Sequence, residues 1–236
     1  MRLSHILFSQ GFGTRRECEH RVLAGTVHIG GRVCEDPDEE FTTEGLVFEV
    51  EGRPWPFHAK ALVMLHKPAG YECSMKPRHH PSVMSLLPAP LRLRSGAGVQ
   101  PVGRLDEDTT GLLLLTDDGA LIHRLTSPKH HVPKVYEVTT RHAISQALVD
   151  ALCSGVVLDD ATTPVRAQAC ERVSDHHLRM TLTEGKYHQV KRMVAAAGNR
   201  VDALHRSAIG ELTLPEGLAP GQWCWAPHPW SPAVAR

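Results

Sequence analysis

Apolar residues near the start of the chain recur at the spacing of one helix face. Leu3, Ile6 and Leu7 follow this pattern, which predicts a short amphipathic helix. Gly11 and Gly13 end it, because glycine favours backbone conformations that interrupt a helix. The chain is therefore expected to begin with a helix that buries one face.

A second helix is predicted to begin at Thr14. A threonine followed three residues later by a glutamate, here Glu17, is a capping box, in which each side chain bonds the other residue's backbone N–H. Gly25 ends this helix in turn. Its apolar face would bury Cys18, Val22 and Leu23.

A β-hairpin and a further strand follow these helices. Residues 26–29 and 32–34 flank Gly30-Gly31, a pair that fits a tight hairpin turn, and residues 46–50 have strand character. Residues 52–60 contain two prolines and break the pattern on either side. We interpret 52–60 as a linker between a small module, 1–51, and a larger one, 61–236.

The larger module mixes strands and helices. The strand-like segments are 61–65, 111–116, 134–140, 165–173, 177–183 and 200–209, and the helix-like ones are 120–125, 145–153 and 187–197. Neighbouring strands joined by short turns predict an α+β fold with a mixed or antiparallel sheet. The chain contains neither a Gly-x-Gly-x-x-Gly motif nor a Walker A motif, so no nucleotide cofactor is implied.

Composition narrows the classes of protein that fit this pattern. The chain has 236 residues, 42% of them hydrophobic, with 26 Lys and Arg against 26 Asp and Glu. Zero net charge argues against nucleic-acid binding by bulk charge alone, although residues 1–34 hold five Arg and two Glu and form a locally basic region. Residues 35–51 hold eight acids and no Lys or Arg. No apolar run spans a membrane and no signal sequence is evident, so we expect a cytoplasmic protein.

Cysteine and histidine usage gives little support for a metal site. The six cysteines are scattered without a Cys-x-x-Cys pair, which favours buried thiols. The sixteen histidines include three adjacent pairs, at 79–80, 130–131 and 176–177, without the spacing of a metal motif. We predict no metal and interpret these pairs as loop residues, with a metal hydrolase as the alternative. The proline-rich end, 227–236, is expected to be an untethered tail.

Three polar segments carry candidate chemistry. The first, Gly103-Arg104-Leu105-Asp106-Glu107-Asp108-Thr109-Thr110-Gly111, places three acids just before an apolar strand, which is a rigid mount for a catalytic group. For Glu107 and Asp108 we favour a hydrogen-bonded turn. An Asp-x-Asp pair is also a partial ligand set for a divalent ion, but no third ligand is evident. The second, Lys134-Val135-Tyr136, places a lysine and a tyrosine on one strand face. The third, Glu184-Gly185-Lys186-Tyr187-His188-Gln189-Val190-Lys191-Arg192-Met193, opens a helix with basic residues, against the helix dipole.

Together these segments resemble the pseudouridine synthases of the small-subunit rRNA type, the RsuA group of the RsuA/RluA superfamily. The Gly-Arg-Leu-Asp-x-Asp-Thr-Thr-Gly-Leu-Leu segment at 103–113 is highly specific, and Lys-Pro-x-Gly-Tyr at 67–71 and Thr-Ser-Pro-Lys-His-His at 126–131 agree with it. Residues 2–34 also resemble an S4 (αL-type) RNA-binding domain, through Thr14-Arg15-Arg16-Glu17 and the Gly-Gly-x-Val hairpin. The resemblance covers nearly the whole chain.

The resemblance implies a role for individual residues. Asp106 matches the catalytic aspartate, which acts while the C1′–N1 glycosidic bond breaks and the base rejoins through C5. Tyr136 matches a tyrosine that stacks on the uracil, and Lys191 matches the basic residue that pairs with the aspartate. Residues expected to contact RNA are Arg2, Arg15, Arg16, Arg104, Lys129, His130 and Arg192. The reaction is redox-neutral, so no cofactor is expected.

The predicted function is isomerisation of a uridine in 16S rRNA, free or within a small-subunit assembly intermediate, by a monomer. Two alternatives stay open beside the metal hydrolase: a synthase that acts on 23S rRNA, and an S4-bearing RNA-binding or assembly protein without turnover. The carboxylate of Asp106 has three possible routes, namely addition to the sugar, addition to the base, or assistance to a glycal.

Overall fold

The computed structural model describes residues 1–94, 96–160 and 162–227. Within it the backbone forms two compact units, one made of Met1–Leu62, Leu87–Gln100 and Leu115–Asp118, the other of Val63–Leu86, Pro101–Leu114 and the described residues from Gly119 on. Most of the predicted tail, 228–236, lies outside the described residues. In the part of the chain that is described, no helix is both long and apolar enough to cross a bilayer.

The first unit begins with two helices and a four-stranded sheet. Helices α1 (Leu3–Ser9) and α2 (Arg15–Leu23) precede strands β1 (Val27–Ile29), β2 (Arg32–Cys34), β3 (Val47–Val50) and β4 (Arg53–Pro56). The strands pair antiparallel in the order β2-β1-β3-β4. A later helix, α3 (Ala89–Leu93), also belongs to this unit.

Local sequence signals place the elements of this unit correctly. Thr14 Oγ1 accepts from the Glu17 N–H, and a Glu17 carboxylate oxygen accepts from the Thr14 N–H at 2.6 Å, so the capping box is present. Gly30 and Gly31 have φ of +58° and +77°, the left-handed pair that a two-residue hairpin turn needs. Both predictions are confirmed.

One local prediction for this unit is wrong, and one segment forms a strand that the pattern does not predict. The pattern predicts a buried Leu23, but its side chain is 64% exposed, because Cys18 and Val22, four residues apart, occupy the inner face of α2 and Leu23 lies beside it. Residues 53–56, within the segment 52–60 that we interpret as a linker, form strand β4. A strand at the edge of a sheet tolerates Pro54 and Pro56, since its outward side needs no N–H donors.

Within the described residues, the second sheet has nine strands. Its bounds are β5 (Leu62–Lys67), β6 (Gln100–Pro101), β7 (Thr110–Thr116), β8 (Lys134–Thr140), β9 (Ala169–Arg172), β10 (His177–Leu182), β11 (Val201–Ile209), β12 (Leu212–Thr213) and β13 (Trp223–Trp225). The order is β13-β5-β7-β11-β8-β10-β9, with β12 beside β11 and β6 beside β7. Because β7 and β11 are parallel while β11-β8, β8-β10 and β10-β9 are antiparallel, the sheet is mixed, and the predicted α+β class is confirmed.

Three helices accompany this sheet: α4 (Gly119–Thr126), α5 (Gln146–Ser154) and α6 (Gln189–Ala196). The sequence predicts a helix over 187–197, but α6 begins two residues later, at Gln189. His188 precedes it with φ +47°, a left-handed conformation that does not occur within an α-helix. The predicted strand 165–173 is reduced to β9, with Val165 making only an isolated bridge to Val156. The leucines of β7 are fully buried, so the loop before it is mounted on the core.

Candidate active site

An open cleft in the second unit collects residues from all three polar segments. It encloses about 460 Å³, including the part open to solvent. Its polar lining residues are Arg104, Asp106, Thr109, Tyr136, Glu184, Lys186, His188 and Gln189. They come from the loop before β7, from β8, and from the turn that leads into α6, which are distant in sequence.

The turn that carries Asp106 is fixed by its own backbone and by a buried lysine. The Thr109 N–H donates to the Asp106 carbonyl at 3.1 Å. The Lys67 ammonium, fully buried, donates to the carbonyl oxygens of Pro68 at 3.0 Å, Glu107 at 3.1 Å and Thr109 at 2.8 Å. Burial lowers the pKa of Lys67, although the nearby carboxylates partly oppose this. Three carbonyl acceptors therefore hold the ammonium, and the ammonium holds the turn.

Asp106 sits between two basic side chains. Its Oδ2 is 3.0 Å from Lys191 Nζ, and its Oδ1 is 3.2 Å from His188 Nε2. The same ammonium donates to both carboxylate oxygens of Asp108, at 2.6 and 2.9 Å. One lysine thus bridges two carboxylates at the mouth of the cleft.

Lys191 and Asp108 shift each other's pKa toward the charged forms. Burial alone would lower the pKa of Lys191, but hydrogen bonds and attraction from Asp108 and Asp106 outweigh burial and raise it. For Asp108, burial would raise the pKa, but the hydrogen bond and charge of Lys191 lower it overall. Lys191 is therefore protonated at neutral pH and neutralises part of the negative charge beside it.

Tyr136 forms part of the cleft wall from strand β8. Its side chain is 8% exposed, and its backbone pairs with Met180 of β10 and Arg206 of β11. Lys134, two residues earlier, donates to the Val132 carbonyl at 3.0 Å. Burial, together with repulsion from Arg206, lowers the pKa of Lys134 to about 8. The interior position of β8 in the sheet holds the tyrosine ring in one place.

The turn into α6 is held by a buried glutamine. Gln189 Nε2 donates to Glu184 Oε1 at 2.6 Å, and Gln189 Oε1 accepts from the Lys186 N–H at 2.8 Å. This closed loop of bonds keeps His188 in its left-handed conformation, which costs a non-glycine residue about 1–3 kcal/mol. The turn thereby presents His188 to Asp106.

The residues predicted to contact RNA are dispersed. Of the seven, the lining of the cleft includes Arg104, which is exposed. Lys129 and His130 lie on the short 3-10 turn Pro128–His130, outside the cleft lining. Arg192 donates to the Tyr187 carbonyl at 3.2 Å and pairs with Asp160.

The other three predicted RNA contacts belong to the first unit. Arg2 forms an exposed ion pair with Asp38 at 3.2 Å. Arg15 and Arg16 occupy the exposed first turn of α2, and the Arg15 guanidinium lies 4.8 Å from the centre of the Phe8 ring. These contacts leave the arginines at the surface, where an anion has access to them.

Sequence reasoning misses three members of the site: Lys67, Asp108 and His188. Lys67 stands in the motif at 67–71, but its buried contacts are not readable from the sequence. Asp108 is typical of a turn, yet it shares Lys191 with Asp106. In the described ranges, no group of three or more His, Cys, Asp or Glu is arranged to hold a metal ion.

Comparison with known proteins identifies the class that this cleft and fold define. The chain belongs to the RNA pseudouridylate synthases, since the family model of that description matches residues 61–196. Among its relatives is the ribosomal small subunit pseudouridine synthase A of Yersinia pestis, 41% identical over 94% of this chain and 93% of the relative. The enzyme of the same name from Pasteurella multocida is 38% identical, covering 94% of each.

A solved structure agrees with this assignment. A crystal structure of a pseudouridylate synthase aligns with a TM-score of 0.67 and 33% identity, covering 96% of each chain. The RsuA-type family predicted from the sequence, and the prediction that the chain is an enzyme, are confirmed. The S4 domain and the roles of the individual residues stay predictions.

Proposed function

We propose that this enzyme converts a uridine of small-subunit (16S) rRNA into pseudouridine, with Asp106 as the catalytic group. The observation that carries this proposal is the position of Asp106 in the cleft, 3.0 Å from the Lys191 ammonium and 3.2 Å from the His188 ring. The choice of the small subunit follows the names of the relatives from Yersinia pestis and Pasteurella multocida. No cofactor enters the proposal.

The reaction is an isomerisation, so its bonds balance within one nucleotide. The C1′–N1 bond breaks, a C1′–C5 bond forms, C5 loses a proton and N1 gains one. Asp106 assists by adding to the sugar, by adding to the base, or by taking a proton on the way to a glycal. Tyr136 stacks on the uracil from the cleft wall and relays a proton. Lys191 pairs with the Asp106 carboxylate, with Nζ 3.0 Å from Oδ2, and so holds that side chain in position.

The target base has to leave the RNA stack, because a stacked glycosidic bond cannot reach a carboxylate inside a cleft. Flipping costs a few kcal/mol, so contacts elsewhere on the RNA have to compensate. We assign these contacts to Arg104, Lys129, His130 and Arg192, and to a predicted S4 domain, residues 1–51, through Arg2, Arg15 and Arg16. The catalytic domain would then span 61–196 and the residues that follow. We expect a monomer in the cytoplasm.

The proposal is tested by mapping pseudouridine in 16S rRNA. An unmodified transcript, free and partly assembled with ribosomal proteins, is incubated with the wild type, Asp106→Asn and Asp150→Asn. Asp150 is an exposed carboxylate on α5 that bonds Gln146, so its variant is a matched control. Carbodiimide adducts are then read as reverse-transcriptase stops.

We expect one stop with the wild type and Asp150→Asn, and a rate lower by at least about 10²-fold with Asp106→Asn, since general acid–base groups contribute that much. RNA binding and the far-UV circular dichroism of Asp106→Asn should match the wild type. A stop on 23S rRNA alone would mean that the substrate is the large-subunit rRNA. Undiminished turnover by Asp106→Asn would exclude Asp106 from the mechanism. Chelator-sensitive hydrolysis of the RNA without any pseudouridine stop would favour a metal hydrolase.

A further inference from the structure

Tyr187 stands out among the aromatic side chains. It is 76% exposed, and no other Phe, Tyr or Trp in the described parts of the chain falls in the exposed class. Its ring stacks on the ring of His188, with centroids 3.8 Å apart and planes 20° from parallel. One face of the tyrosine is therefore covered by an imidazole and the rest of the ring faces solvent.

The stacked pair is tied to the candidate catalytic group. His188 Nε2 lies 3.2 Å from Asp106 Oδ1, so carboxylate, imidazole and phenol ring follow one another outward from the cleft. His188 lines the cleft, whereas Tyr187 lies just outside its lining. The exposed ring consequently stands at the rim, one aromatic layer away from Asp106.

The backbone around Tyr187 is restrained, and its ring rests against the His188 imidazole. The Tyr187 carbonyl accepts from Arg192 Nη1 at 3.2 Å. The next residue, His188, is fixed in the left-handed conformation by the Gln189 bonds on either side of it. A strained turn that displays an apolar ring to water brings no folding benefit of its own, and such strain is typical of binding sites.

Exposed aromatic rings are the usual platforms for unstacked nucleobases in RNA-binding proteins. The target uridine itself is assigned to the cleft, against Tyr136. We propose that Tyr187 stacks on the nucleobase adjacent to the target uridine and so replaces the stacking that this neighbour loses when the uridine flips out. The inference rests on the proposed function, because it requires an RNA substrate with a flipped uridine.

The proposed stacking requires an aromatic side chain at position 187. Stacking needs a flat ring but no hydroxyl, so Tyr187→Phe should retain binding and Tyr187→Ala should lose it. Because every base has a π-face, the contact should tolerate any neighbouring base. Val157, 60% exposed on the same unit, offers a matched control for the loss of an exposed apolar side chain.

The experiment measures binding and stacking in an Asp106→Asn background, which prevents turnover. Dissociation constants for the unmodified 16S transcript should rise by about 5- to 140-fold with Tyr187→Ala. They should change by less than about twofold with Tyr187→Phe or Val157→Ala. An RNA fragment around the mapped uridine carries 2-aminopurine at the adjacent position. Its fluorescence should be quenched by the parent protein and by the Tyr187→Phe variant, but not by Tyr187→Ala.

Thermal unfolding distinguishes the loss of an RNA contact from destabilisation of the protein, because truncation of an exposed ring should leave the unfolding midpoint unchanged. Equal dissociation constants and equal quenching for Tyr187→Ala and its parent would overturn the inference while wild-type turnover upholds the proposed function. Absence of pseudouridine with the wild type would overturn both, because the inference depends on that substrate.

Discussion

Single side chains in this enzyme carry charge in places where water is scarce. Three lysines show different ways of accommodating this charge. Lys67 donates to carbonyl oxygens, Lys134 has a lowered pKa, and Lys191 pairs with two carboxylates. A buried ammonium without such compensation would be strongly unfavourable. The surroundings of each lysine thus determine what it can do, and Lys191 is the one that reaches Asp106.

Lys134 makes stability depend on pH in a direction that can be calculated. Its pKa in the folded chain is about 8, below the value of about 10.4 for an unfolded chain. Between these values the unfolded chain binds the proton and the folded chain does not, so the contribution of Lys134 to stability rises with pH. Below about pH 8 both states are protonated and the cost of burying the charge is fully present.

We therefore expect the free energy of unfolding of the wild type, minus that of Lys134→Met, to rise between about pH 8 and about pH 10.4 by about 3 kcal/mol. Urea unfolding of both proteins at several pH values measures this difference. Cysteines and other lysines titrate equally in both chains, so the subtraction removes them. A difference that stays flat over this range would show that Lys134 titrates normally.

Single residues also show where reasoning from the sequence ends. Asp106, Tyr136 and Lys191 come from segments far apart in the chain, and only the family resemblance selects them together. Their convergence follows from the strand order β7-β11-β8, a non-local property that periodicity does not contain. His188 escapes notice because its left-handed backbone depends on bonds to Gln189, which the sequence does not reveal.

Elements are predicted well wherever the signal is local. The capping box of α2, the glycine turn between β1 and β2, and strand β8 all have the expected positions. The errors arise where tertiary context decides. Two prolines indicate a break, yet an edge position lets β4 form around them, and the short strand β13 has too few residues to give a periodic signal.

The parallel pairing of β7 with β11 depends on one glycine. Gly111 has φ +108°, and a Cβ at this position would lie 2.2 Å from the Arg206 carbonyl oxygen. Arg206 Nε in turn donates to the Leu112 carbonyl at 2.9 Å, so the two strands are joined by side chain as well as backbone. No side chain fits between these backbones without separating them.

We expect Gly111→Ala to lower the free energy of unfolding by about 2–4 kcal/mol, through backbone strain and overpacking together. Chemical denaturation measures the loss. Gly119→Ala is the matched control, because a Cβ on Gly119, in the first turn of α4, would meet no atom within 4 Å. Equal free energies of unfolding for the two variants would mean that the close approach of β7 and β11 does not exclude a side chain at position 111.

The molecule as a whole has no net charge, which sets a limit on how it holds RNA. Acidic residues are concentrated in 35–51, so attraction to phosphates has to come from local groups of arginine and lysine. Each phosphate that is neutralised releases counterions and steepens the dependence of binding on salt. The salt dependence of binding therefore measures how many phosphates Arg15 and Arg16 neutralise.

The double variant Arg15→Gln/Arg16→Gln should make the slope of log K against log salt shallower by about 1.5, because each phosphate that is no longer neutralised removes about 0.7–0.9 from it. Filter binding of the 16S transcript over a range of KCl concentrations measures the slope. Arg172→Gln/Arg200→Gln removes the same charge from exposed positions in the other unit. Equal slopes for the two double variants would mean that α2 makes no specific phosphate contact.

Strand β13 has a consequence for how the chain is made. It pairs with β5, so that Trp223 lies opposite Leu65, although nearly the whole of the second unit separates them in sequence. During synthesis β5 leaves the ribosome well before β13, so this edge of β5 is at first unpaired. Until then its almost entirely buried run, Leu62–Lys67, has an open edge of the kind that joins other chains. We therefore expect a chain that ends before residue 223 to aggregate more readily than one that includes β13, because the edge of β5 stays open.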